Sequence, residues 1–376
     1  MNIPDCKHFN GYKPCFPGHN CLEQGCKEDS PMGVKILIIN LDAMGDVLMT
    51  TAQLPLLKKK YPVSSIYWVT EKISSPLLEN NPLLEQVFIY NFESLNILRN
   101  IHFDIAVNLD KSHKACAMLN SMHASEKKGF GLDKDGKIIP VNSGAYYNYM
   151  LGLDDNLKFK VNRKTKQEYV AETLDLDYER LGYVFSLTDE EKKRASLLRK
   201  RYGFHKKELI VGFNTGCSTL FPNKKMRVDQ HIHIIDRILK ETDLKVILLG
   251  GPEDAERNNE IANAFPLEII STPTNEGVRM GAVYESLADI IVTGDSFGMH
   301  LGIALEKYIV SWFGLSCWTE IDLYDNGVMF YPENLECAPC WKKTCPFNLE
   351  CIDQINLDGM FNAVVRAAVE ITLNRV

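Results

Sequence analysis

The sequence predicts an α/β protein with two Rossmann-like domains, each a doubly wound parallel sheet, that face each other across a cleft. The chain has 376 residues, enough for two domains of ordinary size. Hydrophobic residues make up 45% and charged residues 24%, the balance of a protein with a substantial core. Short apolar runs alternate with helical segments in two successive sets, which is typical of parallel sheets covered on both faces.

The first set of strands follows a loop-rich, cysteine-rich stretch over residues 1–32 that we interpret as a metal-binding segment. An apolar run over 34–40 predicts a strand, and the amphipathic pattern over 45–60 predicts the helix after it. Further strand-sized runs lie at 65–70, 86–90 and 103–109. We therefore predict the first domain over residues 33–185.

The second set follows a charged stretch over 160–207 that we interpret as the link between domains, with a helix over 188–202. Strand-sized apolar runs recur at 209–214, 244–250, 267–271, 289–293 and 308–313. These predict a second domain over residues 186–335. Residues 336–376 hold further cysteines and an apolar-periodic helix that could pack on either domain.

Charge and targeting signals narrow the class of protein. The net charge of −7 disfavours a nucleic-acid partner, because duplex binders usually carry a basic surplus. The N-terminus lacks the basic stretch and apolar core of a secretory signal, and the longest apolar runs are only strand-sized. We expect a cytoplasmic protein, and a peripheral contact with the inner face of the inner membrane is compatible with this.

Ligands of parallel sheets bind beyond the carboxyl ends of the strands, and four such loops carry suitable residues. After the first strand, Gly45 allows close approach of the backbone to a ligand. Asp46 is then either a functional carboxylate or merely a helix cap. The missing G-x-G-x-x-G at this point argues against a dinucleotide dehydrogenase.

The other three loops belong to the second domain. Small residues with free N–H groups and a nearby lysine suit a diphosphate: Thr215, Ser218 and Lys224. A Gly-Gly turn supplies Glu253 as an acid for ribose hydroxyls, although a plain turn has the same pattern. A strand, a glycine turn and a helix form an anion cradle with Asp295, Ser296, Phe297, Gly298 and His300.

Together these loops resemble glycosyltransferase family 9, the heptosyltransferase family, over residues 34–376. The similar motifs read ILIINLDAMGDVLMTTAQLPLLKKKYP, LLGGPED and GDSFGMHLGIALEKYIVSWFG, with Lys224 matching the family's lysine. Two positions depart from the family pattern. Phe297 replaces the usual glycine, with Gly298 one place later, and Met226 stands where a tryptophan usually follows the lysine.

The resemblance implies a GT-B fold and an inverting transfer of a heptose or related sugar from an ADP-sugar. The donor would lie on the second domain against the residues named above, and Asp46 would be the base that deprotonates the acceptor. The acceptor would be lipopolysaccharide core, another glycan, a lipid-linked sugar or a protein. The resemblance implies no metal for catalysis.

Eight of the eleven cysteines form two clusters, which in a cytosolic chain indicate metal more often than disulfides. Cys337, Cys340, Cys345 and Cys351 lie within fifteen residues and predict a tetrahedral thiolate site, with free buried thiols as the alternative. Zinc and iron both suit sulfur ligands, and some relatives bind iron in this stretch. The N-terminal cluster is Cys6, Cys15, Cys21 and Cys26; His8 or His19 could replace a ligand, and a reduced, flexible tail is the alternative. We expect structural roles for both.

Three further hypotheses remain at this stage. The chain could be a metal-stapled, nucleotide-sugar-binding scaffold without catalysis, or a glycosyltransferase for another nucleotide sugar. A sugar-nucleotide epimerase would share the two-domain build but would need a carboxylate and histidine set that the sequence does not show.

Overall fold

The computed structural model describes residues 3–26 and 28–375 and contains two six-stranded sheets. The first has the order β3-β2-β1-β4-β5-β6 and is parallel except for the β5–β6 pair. Its strands are β1 (Val34–Ile39), β2 (Ser64–Thr70), β3 (Gln86–Ile89), β4 (His102–Asn108), β5 (His123–Leu132) and β6 (Ile138–Pro140). Every residue of β2 is buried, as expected for a parallel strand covered on both faces.

The second sheet is parallel throughout, with the order β12-β11-β10-β7-β8-β9. Its strands are β7 (Ile210–Asn214), β8 (Lys245–Leu249), β9 (Ile270–Ser271), β10 (Ile290–Gly294), β11 (Tyr308–Trp312) and β12 (Gly327–Phe330). The predicted fold of two doubly wound parallel sheets is confirmed. The strands β5, β6 and β12 were not predicted.

Helices alternate with most of the strands along the chain. They are α1 (Cys21–Gln24), α2 (Met44–Thr50), α3 (Leu54–Lys60), α4 (Phe92–Arg99), α5 (His113–Ser121), α6 (Tyr146–Met150), α7 (Lys166–Thr173), α8 (Asp189–Arg201), α9 (Val228–Glu241), α10 (Ala255–Asn263), α11 (Val278–Ser286), α12 (Phe297–Ala304), α13 (Glu350–Asp353) and α14 (Leu357–Asn374). Within the described ranges, no helix combines the length and apolar character needed to cross a bilayer.

Two details refine the predicted elements. The single helix predicted over 45–60 is divided by a 3₁₀ turn at Thr51–Gln53, next to Pro55, which has no N–H to continue the helical hydrogen bonds. The C-terminal helix α14 packs on the second domain. Its Met360 and Val364 share a buried core with Val292 of β10.

Candidate functional site

Asp46 lies in the first turn of α2, at the carboxyl end of β1. It does not cap the helix, because Ala43 is the N-cap residue. Its carboxylate instead forms an ion pair with Lys166, the first residue of α7. Burial alone would lower the pKa of Lys166, but Asp46 outweighs it and the net pKa is raised. Lys166 is therefore a charged partner of the candidate base.

Asp110 braces the loop that carries Gly45 and Asp46. It follows β4, and its carboxyl group accepts hydrogen bonds from the backbone N–H of Leu41 and from Asn40 Nδ2, the latter at 2.7 Å. Burial raises the pKa of Asp110 to about 7. Neither Asp110 nor Lys166 was predicted, because no sequence motif marks either residue.

Gly45 and His300 form a direct contact between the two domains. A Cβ atom added at Gly45 would lie 2.6 Å from His300 Cδ2, so only glycine fits here. His300 Nδ1 lies 3.2 Å from the hydroxyl oxygen of Tyr183. Burial lowers the pKa of His300, which keeps its ring neutral at pH 7. The predicted first and fourth loops therefore meet across the cleft.

Lys224 and Asp295 form a second ion pair in the second domain. Lys224 ends a 3₁₀ turn at Pro222–Lys224, and its Nζ lies 2.6 Å from Asp295 Oδ2. Both side chains are mostly buried, with 13% and 14% of their surface exposed. Burial would raise the pKa of Asp295, but Lys224 more than offsets it, so the pKa is lowered and the carboxylate is charged.

The packing of the loop after β10 explains why this chain has its glycine at position 298 rather than at 297. Ser296 is the N-cap residue of α12, and its Oγ lies 3.3 Å from Thr293 Oγ1. Phe297 begins the helix. Gly298 packs so tightly on Asn214 that a Cβ atom would collide with its side-chain amide. The glycine is thus required one position later than in the family pattern.

The remaining predicted donor residues differ in exposure. Thr215 is buried, and its hydroxyl hydrogen-bonds Asn258 Oδ1 at 2.5 Å. Ser218 and Glu253 are exposed. Asp254 turns inward instead of Glu253: it accepts a hydrogen bond from the Gly251 N–H at 3.0 Å and packs against Gly216. The loops after β7 and β8 are therefore joined through Asp254.

The four C-terminal cysteines line one small pocket, and all eleven cysteines of the chain are free thiols. The pocket volume of about 30 Å³ is enough for one water-sized species. Burial, with the neighbouring thiols, raises the pKa of Cys351 to about 11. Four thiols along one pocket are the soft donors that zinc and iron prefer.

The N-terminal cysteines are less enclosed. Cys6 is buried, Cys15 is exposed, and Cys21 and Cys26 are partly buried. Among residues 3–26 and 28–375, no three His, Cys, Asp or Glu side chains already converge as a metal-binding group. Metal binding would therefore require the sulfur atoms of either cluster to draw together.

Comparison with known proteins places this chain in a family. The sequence model of glycosyltransferase family 9 (heptosyltransferase) matches residues 94–350, more than half of the chain. Lipopolysaccharide heptosyltransferase 1 of Campylobacter coli is 20% identical over 294 residues, which cover 75% of this chain and 84% of that protein.

Two solved structures share the fold. The family 9 glycosyl transferase of Veillonella parvula aligns with a TM-score of 0.71 and 17% identity, over 90% of this chain and 98% of that one. The iron-containing, dodecameric heptosyltransferase TibC of enterotoxigenic E. coli, solved with ADP-D-beta-D-heptose, aligns with a TM-score of 0.55 and 12% identity, over 91% and 79%. Given its two facing Rossmann-like domains and the family match, this chain is a glycosyltransferase that belongs to glycosyltransferase family 9, the heptosyltransferase family.

Proposed function

We propose that this protein transfers a heptose from an ADP-heptose-type donor to an acceptor hydroxyl, with inversion at the anomeric carbon. The observation that carries the proposal is the surroundings of His300. Gly45, the neighbour of Asp46 in the first domain, packs against the His300 ring, and His300 lies five residues after the Asp295 that pairs with Lys224 in the second domain. A candidate base and a candidate phosphate-binding lysine thus share one interdomain cleft.

The second domain holds the donor in this scheme. Lys224 and the N–H groups at the start of α12, where Ser296 makes no side-chain cap, face the diphosphate. Thr215, Ser218 and Glu253, with Asp254 beside them, complete the nucleotide site. Fixed positive charge at the diphosphate stabilises the negative charge that develops as ADP leaves.

Asp46 accepts the proton in the chemical step. The acceptor oxygen bonds to the anomeric carbon while the bond from that carbon to the donor phosphate oxygen breaks. The acceptor proton passes to the Asp46 carboxylate, and ADP leaves with the bonding electrons. The transfer occurs within the transition state, as the attacking oxygen gains positive charge. Lys166 orients the carboxylate for this transfer.

The acceptor we favour is a sugar hydroxyl of lipopolysaccharide core, supported by the description of the Campylobacter relative. A protein hydroxyl is the alternative. A lipopolysaccharide acceptor would bring the enzyme to the cytoplasmic face of the inner membrane, by peripheral contact. The net charge of −7 gives no support to a nucleic-acid partner.

We also propose a structural metal, iron in preference to zinc, at Cys337, Cys340, Cys345 and Cys351. The iron-containing description of TibC supports iron, and the shared pocket supports these four residues. When bound, the ion would supply a crosslink within the segment and take no part in the transfer.

A thermal-shift panel with ADP, ADP-heptose, UDP, GDP and CMP tests the donor assignment, because a ligand of the native state raises its stability. We expect shifts with ADP and ADP-heptose that disappear in Lys224→Met and persist in the matched control Lys225→Met. A shift with UDP or GDP instead would assign another nucleotide sugar. No shift with any nucleotide would overturn the donor assignment.

A further inference from the structure

The cysteine segment, residues 336–351, contacts both domains next to Lys224, the candidate diphosphate ligand. Lys160 of the first domain donates hydrogen bonds to the carbonyl oxygens of Glu336, at 3.1 Å, and Ala338, at 3.4 Å. Asn223, one residue before Lys224, donates a hydrogen bond from Nδ2 to the carbonyl oxygen of Lys343 at 3.0 Å. A change in this segment therefore reaches the loop that carries Lys224.

Trp341 is the side chain that connects the cysteines to that lysine. It follows Cys340 directly, and the N–H groups of both residues donate to the carbonyl oxygen of Leu315, at 2.9 and 3.0 Å. The φ of Trp341 is +51°, in the left-handed region that bulky residues rarely adopt. The backbone at Cys340 thus determines where the indole lies.

The indole ring packs against cations from both domains. Lys224 Nζ lies 4.4 Å from the ring centroid and Lys158 Nζ lies 5.5 Å from it, both within the range of cation–π attraction. Phe221 packs edge-on against the indole, with ring centroids 5.0 Å apart. The ammonium group of Lys224 is therefore held between the Asp295 carboxylate and the Trp341 ring.

The role of Trp341 is not that of an ordinary core residue. It is only partly buried and belongs to none of the buried apolar clusters. Its Nε1 is buried without a hydrogen-bond partner among the described residues. An unpartnered buried donor beside a candidate phosphate-binding lysine favours a place in the donor site.

We propose that Trp341 is a positioning residue for Lys224, and that metal ligation by the four cysteines sets the donor affinity through it. Ligation of Cys340 would fix the backbone that carries the indole, and the indole would fix the ammonium that meets the diphosphate. This inference rests on the proposed function of Lys224 as a diphosphate ligand.

The test measures the dissociation constant for ADP by calorimetry, with metal content, on the purified full-length protein. We expect Trp341→Ala to weaken ADP binding about tenfold, the upper range of a desolvated cation–π contact, and Trp341→Phe to weaken it less. The donor KM should rise by a similar factor while kcat changes little. Phe347→Ala, an exposed aromatic residue of the same segment, is the matched control and should bind ADP normally.

Metal removal is the second part of the test. Stripping metal from the native protein should weaken ADP binding as much as Trp341→Ala does, and stripping it from Trp341→Ala should add nothing. The inference would be overturned if Trp341→Ala bound ADP with unchanged affinity, or if the protein purified without metal. It would also be overturned if metal removal and Trp341→Ala weakened ADP binding additively. Lys224→Met separates the two proposals: if that variant binds ADP normally, the proposed function itself is wrong.

Discussion

The two ion pairs at the cleft differ in how solvent reaches them. In the first domain, 38% of the Asp46 side chain and 27% of Lys166 are exposed. In the second domain the corresponding values for Asp295 and Lys224 are 14% and 13%. The more exposed pair costs less to separate when a substrate arrives, whereas the more buried pair is expensive to break. This difference supports the proposed roles, in which Asp46 of the first pair accepts the acceptor proton and Lys224 of the second pair binds the donor diphosphate at a fixed position.

The largest expected effect follows from the role of the exposed pair. Asp46→Asn should lower kcat about a thousandfold, within the range for loss of a general base, and leave ADP affinity unchanged. The measurement is ADP release from saturating donor and acceptor, with ADP binding by calorimetry.

The matched control is Asp42→Asn, an exposed aspartate of the same loop that pairs with Lys114. It should retain kcat within a few-fold. Full activity in Asp46→Asn would remove Asp46 as the base and with it the difference in role between the two pairs.

The buried pair should matter most for stability. Lys224→Met leaves the Asp295 carboxylate buried without its cation and should lower the free energy of unfolding by about 3 kcal/mol. Adding Asp295→Asn should restore part of this loss, because the unpaired charge is removed. Urea denaturation of the two variants checks both results; equal stability of Lys224→Met and the native protein would show that the pair is not desolvated.

The Asp110 carboxyl group, which braces the loop that carries Asp46, makes the stability of the protein depend on pH. The pKa of its carboxyl is about 7 in the folded protein and near 4 when unfolded, so the folded state holds the proton more tightly. Its contribution to stability is therefore full below about pH 4 and is lost as the pH rises towards 7. Between pH 5 and pH 8, the free energy of unfolding of the native protein should fall by on the order of 2 kcal/mol more than that of Asp110→Asn.

Urea denaturation at both pH values measures this difference. Asp104→Asn serves as the control. It removes a carboxylate that accepts a hydrogen bond from the backbone N–H of Lys35 and lies on β4, the strand that precedes Asp110. Parallel pH profiles for the native protein and Asp110→Asn would contradict the assignment.

The two pairs also differ in how far the sequence alone predicts them. Lys224 and Asp295 were predicted because each follows a strand of the second sheet, and such loops meet at one edge. Lys166 was not, because it joins Asp46 across 120 residues of chain and lies in a stretch interpreted as a link. Likewise, β1 was predicted from its apolar run, but β5 reads HASEKKGFGL. Its run of charged residues, of which Lys128 is buried, is not the apolar pattern of a parallel strand.

The smallest expected effect concerns the stability of the exposed pair. Lys166→Met removes the cation that orients Asp46 and should cost less than about 1 kcal/mol of stability, because solvent reaches both partners. The kcat should nevertheless fall several-fold, since the carboxylate loses its orienting partner. Lys164→Met is the matched control, because Lys164 pairs with Glu172 on the same segment and has no contact with Asp46 among the described ion pairs. A loss of stability as large as that of Lys224→Met would show that both pairs are equally buried, and the division between a proton-transfer pair and a fixed anion site would then be wrong.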